Sequence, residues 1–219
     1  MRNRRTFDEE LAQLRLQVEV MALRVAESLD RMRSVLATGD AEAARRLLRG
    51  DNDIDGMHVS LTERSYDLLV REQPVASDLR LVVSVIRVLG ELERIGDLAL
   101  RIAKLAPRHE LLRRDPAIAA LLVDFADEVI RRFTVARTAW ASGDRRALGG
   151  LDGPQPLEAF SDRLTSLILE LDGADAVPAA VAASTAGRSL DRIGDHAAII
   201  GARTQYLLTG DVSYLATEV

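Results

Sequence analysis

The sequence predicts an all-α fold built as two tandem three-helix bundles, and three observations predict it. The 219 residues are 47% hydrophobic but only 4% aromatic, and they are rich in Leu, Ala, Arg and Glu, a mix that favours helix and is poor in strand formers. Apolar side chains recur at helical spacing along almost the whole chain, broken where Gly, Pro and Asp gather. Two segments occur twice. Ala37-Thr38-Gly39-Asp40 returns as Ala141-Ser142-Gly143-Asp144, and Leu92-Glu93-Arg94-Ile95-Gly96-Asp97 returns as Leu190-Asp191-Arg192-Ile193-Gly194-Asp195, at offsets of 104 and 98. A repeat of that length is a unit of three helices, enough to bury a core, so the chain divides into 1–107 and 108–219.

Six long helices follow in order. The first spans 8–37 and the second 40–72, on either side of Gly39-Asp40, with Gly50 as a weak point inside the second. Pro74 marks the turn into the third, 76–105. The fourth, 115–141, carries Phe133 and Trp140 as core residues. The fifth, 144–171, is interrupted by Gly149-Gly150 and by Pro154 and Pro156, and the sixth spans 177–209.

Composition narrows the function. A formal charge of -5 argues against bulk nucleic-acid binding, which needs a net basic face. With no cysteine, metal chemistry must use oxygen ligands or the three histidines. Apolar runs such as 117–123 are far short of the ~20 residues of a membrane-spanning helix, and Met1 to Arg15 lacks a signal-peptide core, so a cytoplasmic location is expected. Lys104 is the single lysine, a bias ascribed to genome composition. No Gly-rich phosphate loop, nucleophile elbow or His-Glu zinc motif is present.

The chemical signal lies in misplaced carboxylates. In the third helix Arg80, Ser84, Arg87, Glu91, Arg94 and Arg101 step into one polar stripe, expected to face water. Glu93 and Asp97 sit about a quarter-turn away, on the line of Leu79, Val82, Ile86 and Leu100. The sixth helix repeats this: Arg188, Arg192, His196 and Arg203 mark the expected wet face, and Asp191 and Asp195 lie off it. Each preceding helix adds a second pair, Asp51 with Asp55 and Glu158 with Asp162, bordering its apolar stripe.

In an antiparallel hairpin, residues equidistant from the turn lie at equal depth because the rise per residue is constant. Asp55 with Glu93, and Asp51 with Asp97, both centre on Pro74; Asp162 with Asp191, and Glu158 with Asp195, both centre beside Pro178. Four carboxylates per unit are therefore expected at one level. Like charges at that spacing repel, and a cation is the simplest compensation. Hard oxygen donors suit Mg, Ca, Mn or iron, with zinc compatible, singly or as a multinuclear cluster. Gly96 and Gly194 leave room for a close neighbour or bridging oxygens. His58, three residues after Asp55 and on the same face, is an additional ligand candidate. His196 and His109, the latter expected in a loop, are left outside the ligand set. The alternatives are a solvated face in which Asp97 pairs with Arg101 and Asp191 with Arg188, a metal-dependent hydrolase, or a metal-free helical scaffold.

At these residues the sequence resembles the PhoU family of phosphate-signalling regulators, whose repeats carry acidic Glu/Asp-x-x-x-Asp motifs. They stand here as Glu93-Arg-Ile-Gly-Asp97 and Asp191-Arg-Ile-Gly-Asp195-His196-Ala. The segment Gln73-Pro74-Val75-Ala76-Ser77-Asp78-Leu79-Arg80 and the close Tyr206-Leu207-Leu208-Thr209-Gly210 are similar as well. Leu98 stands where the family often has His, and Arg101 and Ile199 where it often has Asn. The resemblance implies two three-helix bundles, a homodimer, and iron or zinc clusters on the acidic motifs. It further implies an adaptor without enzymatic activity that restrains phosphate uptake and phosphate-starvation signalling. Its partners would be the phosphate ABC transporter, through the ATPase subunit, and a sensor histidine kinase, with peripheral membrane association through them.

Overall fold

The computed structural model describes residues 4–151 and 156–216. Among them are seven α-helices and no strand: α1 Arg4–Thr38, α2 Ala41–Glu72, α3 Ala76–Ala103, α4 His109–Arg113, α5 Pro116–Ser142, α6 Leu157–Leu169 and α7 Ala176–Thr209. Short 3-10 turns cover Ala106–Arg108, Arg145–Gly150 and Val212–Leu215. No described helix is long and apolar enough to cross a membrane.

The first repeated tetrapeptide is a stop-and-start signal. Gly39, at φ 70°, takes the left-handed conformation that ends α1, and its amide reaches Val35 O at 2.9 Å. Asp40 then caps α2, its Oδ1 accepting the amides of Glu42 and Ala43 at 2.9 Å each, worth ~1 kcal/mol. The second copy begins alike: Gly143 sits at φ 65° and Asp144 accepts from the Arg146 amide. There the expected interruption of 144–171 is complete, and no single helix spans it. A 3-10 turn and the shorter α6 replace it, because Gly149, Gly150 and Pro156 in this stretch all disfavour a helix interior. Gly50 does not interrupt α2, since Leu47 and Ile54, one turn to either side, are buried and hold the helix to the core. The connection after α3 contains α4, and His109 opens it, buried and with Nε2 3.1 Å from Leu36 O, rather than lying in a loop.

Helices α1–α3 form one antiparallel set and α5–α7 the other, with α3 packed along α7 and α1 along α5. One apolar core runs through both, from Leu14, Met21 and Leu29 of α1 to Phe125 and Phe133 of α5 and Leu190 and Ile193 of α7. Trp140 is buried, and Phe125 stacks on Phe160 with ring centroids 4.9 Å apart.

This docking corrects the expectation that both polar stripes face water. Arg87, Arg94, Arg101, Arg188 and Arg192 are exposed, but Ser84, Glu91, His196 and Arg203 are buried in the α3–α7 seam. A face that is polar on an isolated three-helix unit becomes an interior surface when two units pack, and its polar groups then need partners. His196 Nδ1 donates to Glu91 Oε2 at 2.6 Å across the seam, and Arg94 adds a contact to Glu91 at 3.6 Å.

Candidate metal centre

The α2–α3 hairpin is a tight turn. Gln73 takes a left-handed conformation at the end of α2, and Pro74 and Val75 lead into α3. Ile54 then lies opposite Gly96, with Cδ1 3.3 Å and Cγ2 3.5 Å from where a Cβ on Gly96 would stand. The glycine thus admits an apolar neighbour from the facing helix, and α2 comes close enough to bring its carboxylates against those of α3.

Asp55, Glu93 and Asp97 each place a carboxylate oxygen within 4.8 Å of the others. Asp55 and Asp97 are exposed and Glu93 is half-buried, so the group opens to solvent at the hairpin surface. Partial burial and the charges of Asp97 and Asp55 push the Glu93 carboxyl above its ordinary range, opposed by the charges of His58 and Arg94. His58 therefore faces the group from α2 but is not part of the three-residue gathering. The side chain of Asp51, the fourth expected member, lies outside the described residues. Three convergent oxygen donors, one disfavouring its own ionisation, make a set that fits a hard cation.

In the second unit Leu157 Cδ1 occupies the space beside Gly194, 2.2 Å from where a Cβ would stand. Glu158, Asp191 and Asp195 line a cleft of about 420 Å³ between α6 and α7, together with Arg132 of α5. Burial first, then the charges of Asp195 and Glu158, push the Asp191 carboxyl up; Arg192 and a hydrogen bond with Ser161 oppose the rise. Asp162 is exposed on α6 and does not line the cleft. Arginines already act here: Arg192 pairs with Asp195 at 3.4 Å, and Arg132 is held by buried Glu128 at 2.8 Å. Sequence reasoning missed Arg132 and Glu128 because they belong to α5, outside both repeated motifs; the Glu128-x-x-Arg131-Arg132 spacing is the only signal that pointed to them.

Fold and site together define a duplicated all-α bundle protein with carboxylates gathered between facing helices, the arrangement by which bundles hold cations. The family model described as PhoU domain matches residues 18–106. The chain is 30% identical over 195 residues to the phosphate-specific transport system accessory protein PhoU of Edwardsiella tarda, covering 86% of this chain and 79% of that protein. It is 28% identical over the same length to the protein of that name from Escherichia coli (strain K12). The crystal structure of PhoU from Pseudomonas aeruginosa superposes with a TM-score of 0.83 at 27% identity, covering 94% of this chain and all of that one. The chain belongs to the PhoU family.

Proposed function

We propose that the protein is a regulatory adaptor of phosphate uptake rather than an enzyme. In this reading it restrains a phosphate ABC transporter through the ATPase subunit, and phosphate-starvation signalling through a sensor histidine kinase. It acts as a cytoplasmic homodimer that meets the membrane through these partners. The observation that carries the reading is the likeness of nearly the whole fold, at 27% identity and a TM-score of 0.83, to a PhoU structure, alongside curated relatives named as accessory proteins of phosphate-specific transport.

Within that role, Asp55, Glu93 and Asp97 would hold a cation, with Asp51 and His58 as further donors from the same stretch of α2. A cation there supplies charge neutralisation and a cross-link between α2 and α3, fixing the surface that partners read. In the second unit Glu158, Asp162, Asp191 and Asp195 would bind one only in competition with Arg192 and Arg132, so the first unit is the stronger site. Iron, zinc, magnesium, manganese and calcium are all compatible with these donors, singly or as a cluster.

The test is co-purification of the tagged protein with transporter and kinase at high and low phosphate, together with phosphate uptake in a strain lacking it. Association with either partner and unrestrained uptake in the deletion strain are expected. No association at either phosphate level, or metal-dependent hydrolysis of a phosphate ester by the purified protein, would overturn the adaptor reading.

A further inference from the structure

We propose that the α3–α7 seam carries a separate binding site, for a tetrahedral oxyanion of the phosphate class. Arg203 is only 9% exposed, and its Nη1 donates to Leu215 O at 3.3 Å. Its Nε is buried without a partner, and no described carboxylate lies within ion-pair distance of it. A guanidinium stays charged, and a buried cation with no counter-charge is strongly disfavoured unless something negative joins it.

On the facing helix α3, Ser84 and the half-buried Arg80 also carry buried donors without partners. Ser84 is 1% exposed and its Oγ has no partner. The Nε of Arg80 is likewise buried and unpartnered. Packing geometry brings them together. Glu91 and His196 touch across the seam, and two turns back along α3 is Ser84 while two turns forward along antiparallel α7 is Arg203, so both lie in the next seam layer, about 10 Å away. One turn further, the Arg80 guanidinium lies over Gly210, its Nη1 2.6 Å from where a Cβ would stand. Gly210, at φ +74°, ends α7 and begins the segment that returns to Leu215 over Arg203. Two guanidinium forks and a hydroxyl with unused donors are the chemistry that takes a phosphate-type dianion and repels a cation. The Asp55–Glu93–Asp97 group has the opposite charge and lies on the α2 side of α3, so the two sites are distinct.

The inference goes beyond the adaptor reading and does not rest on it. The experiment titrates inorganic phosphate into the full chain stripped of metal by chelator, so that ions at the acidic group cannot recruit it, followed by calorimetry and thermal melting. Saturable binding at one site is expected, with the melting temperature rising with phosphate by mass action. Arg203→Met and Arg80→Gln should each weaken binding at least tenfold, and Ser84→Ala should weaken it with the melt of the phosphate-free protein unchanged. Without phosphate, Arg203→Met should melt at or above the wild-type temperature, because it removes an uncompensated charge; a purely structural arginine would give the reverse. Absence of both heat and thermal shift at millimolar phosphate would overturn the site, as would undiminished binding in both arginine variants or an Arg203→Met protein that melts lower than wild type in phosphate-free buffer. None of these results bears on the family membership or the acidic group.

Discussion

Replacing Glu93 with Gln should stabilise the metal-free protein and at the same time reduce what a metal adds. Glu93 takes part in two of the three like-charge pairs of its group, each within 4.8 Å. Coulomb's law at that separation gives about 0.9 kcal/mol per pair in a water-like dielectric, the appropriate limit because Asp55 and Asp97 are exposed. Screening at physiological ionic strength roughly halves the two-pair sum, leaving about 1 kcal/mol. For a chain of this size that corresponds to a melting temperature about 2–4 °C higher. The sign with pH follows from the raised Glu93 carboxyl. Below the unfolded pKa the group is protonated in both states and costs nothing; as pH rises through the raised folded pKa the charge forms against its neighbours and stability is lost. The gain from Glu93→Gln is therefore present at neutral pH and vanishes in acid. Calorimetric melts of both proteins across pH, in chelator and then with added divalent metal, measure it. A variant no more stable than wild type in chelator, or one stabilised by metal as strongly as wild type, would refute the reasoning.

Three other outcomes follow from the packing. Glu128 is held below the ordinary carboxylate range, chiefly by its hydrogen bonds from Arg131 and then by those from Arg132. Its stabilisation is thus full above the unfolded carboxylate pKa and lost as pH falls through the lowered folded pKa. Glu128→Gln should cost roughly 1.5–3 kcal/mol at neutral pH and little in strong acid, as denaturant titrations at both pH values would show. His196→Leu should cost about 1–3 kcal/mol by leaving buried Glu91 with only its longer contact to Arg94, and adding Glu91→Leu should recover much of the loss; the double-mutant cycle reads the coupling directly. Gly194→Ala meets Leu157 Cδ1 at 2.2 Å and should cost about 1–3 kcal/mol by forcing that buried side chain out of its packed rotamer, whereas Gly96→Ala meets Ile54 Cδ1 at 3.3 Å and should lie within about 1 kcal/mol of neutral. Thermal melts of the two variants side by side check the contrast.

The long helices and their hairpin level were legible in the sequence because they depend on local rules. Apolar periodicity defined α1, α2, α3, α5 and α7, and Gly39-Asp40 identified one boundary through left-handed and capping chemistry. Constant rise about Pro74 predicted that Asp55 and Glu93 would meet, and they do so with Asp97. The Ile54–Gly96 pair centres one residue later, on 75, at the same level of the hairpin. What the sequence hid was long-range. That Ser84, Glu91, His196 and Arg203 are interior follows from α3 packing on α7, and no helical period separates a polar residue facing water from one facing a partner helix across a docked seam. In the second unit the short α6 begins only at Leu157, which leaves Glu158 on its first turn and Asp162 exposed a turn later. The break at Gly149-Gly150 and Pro156 was legible, but not where the helix resumes, nor the entry of Arg132 from α5.

The most direct measurement of the central claim is elemental analysis of the protein purified without chelator beside a Glu93→Gln/Asp97→Asn variant, with circular dichroism to establish that both are folded. The account predicts tightly held metal in the wild type and loss of most of it in the variant, since the α2–α3 group has fewer competing arginines than the α6–α7 cleft. Negligible metal in both proteins, or equal metal in both, would contradict it.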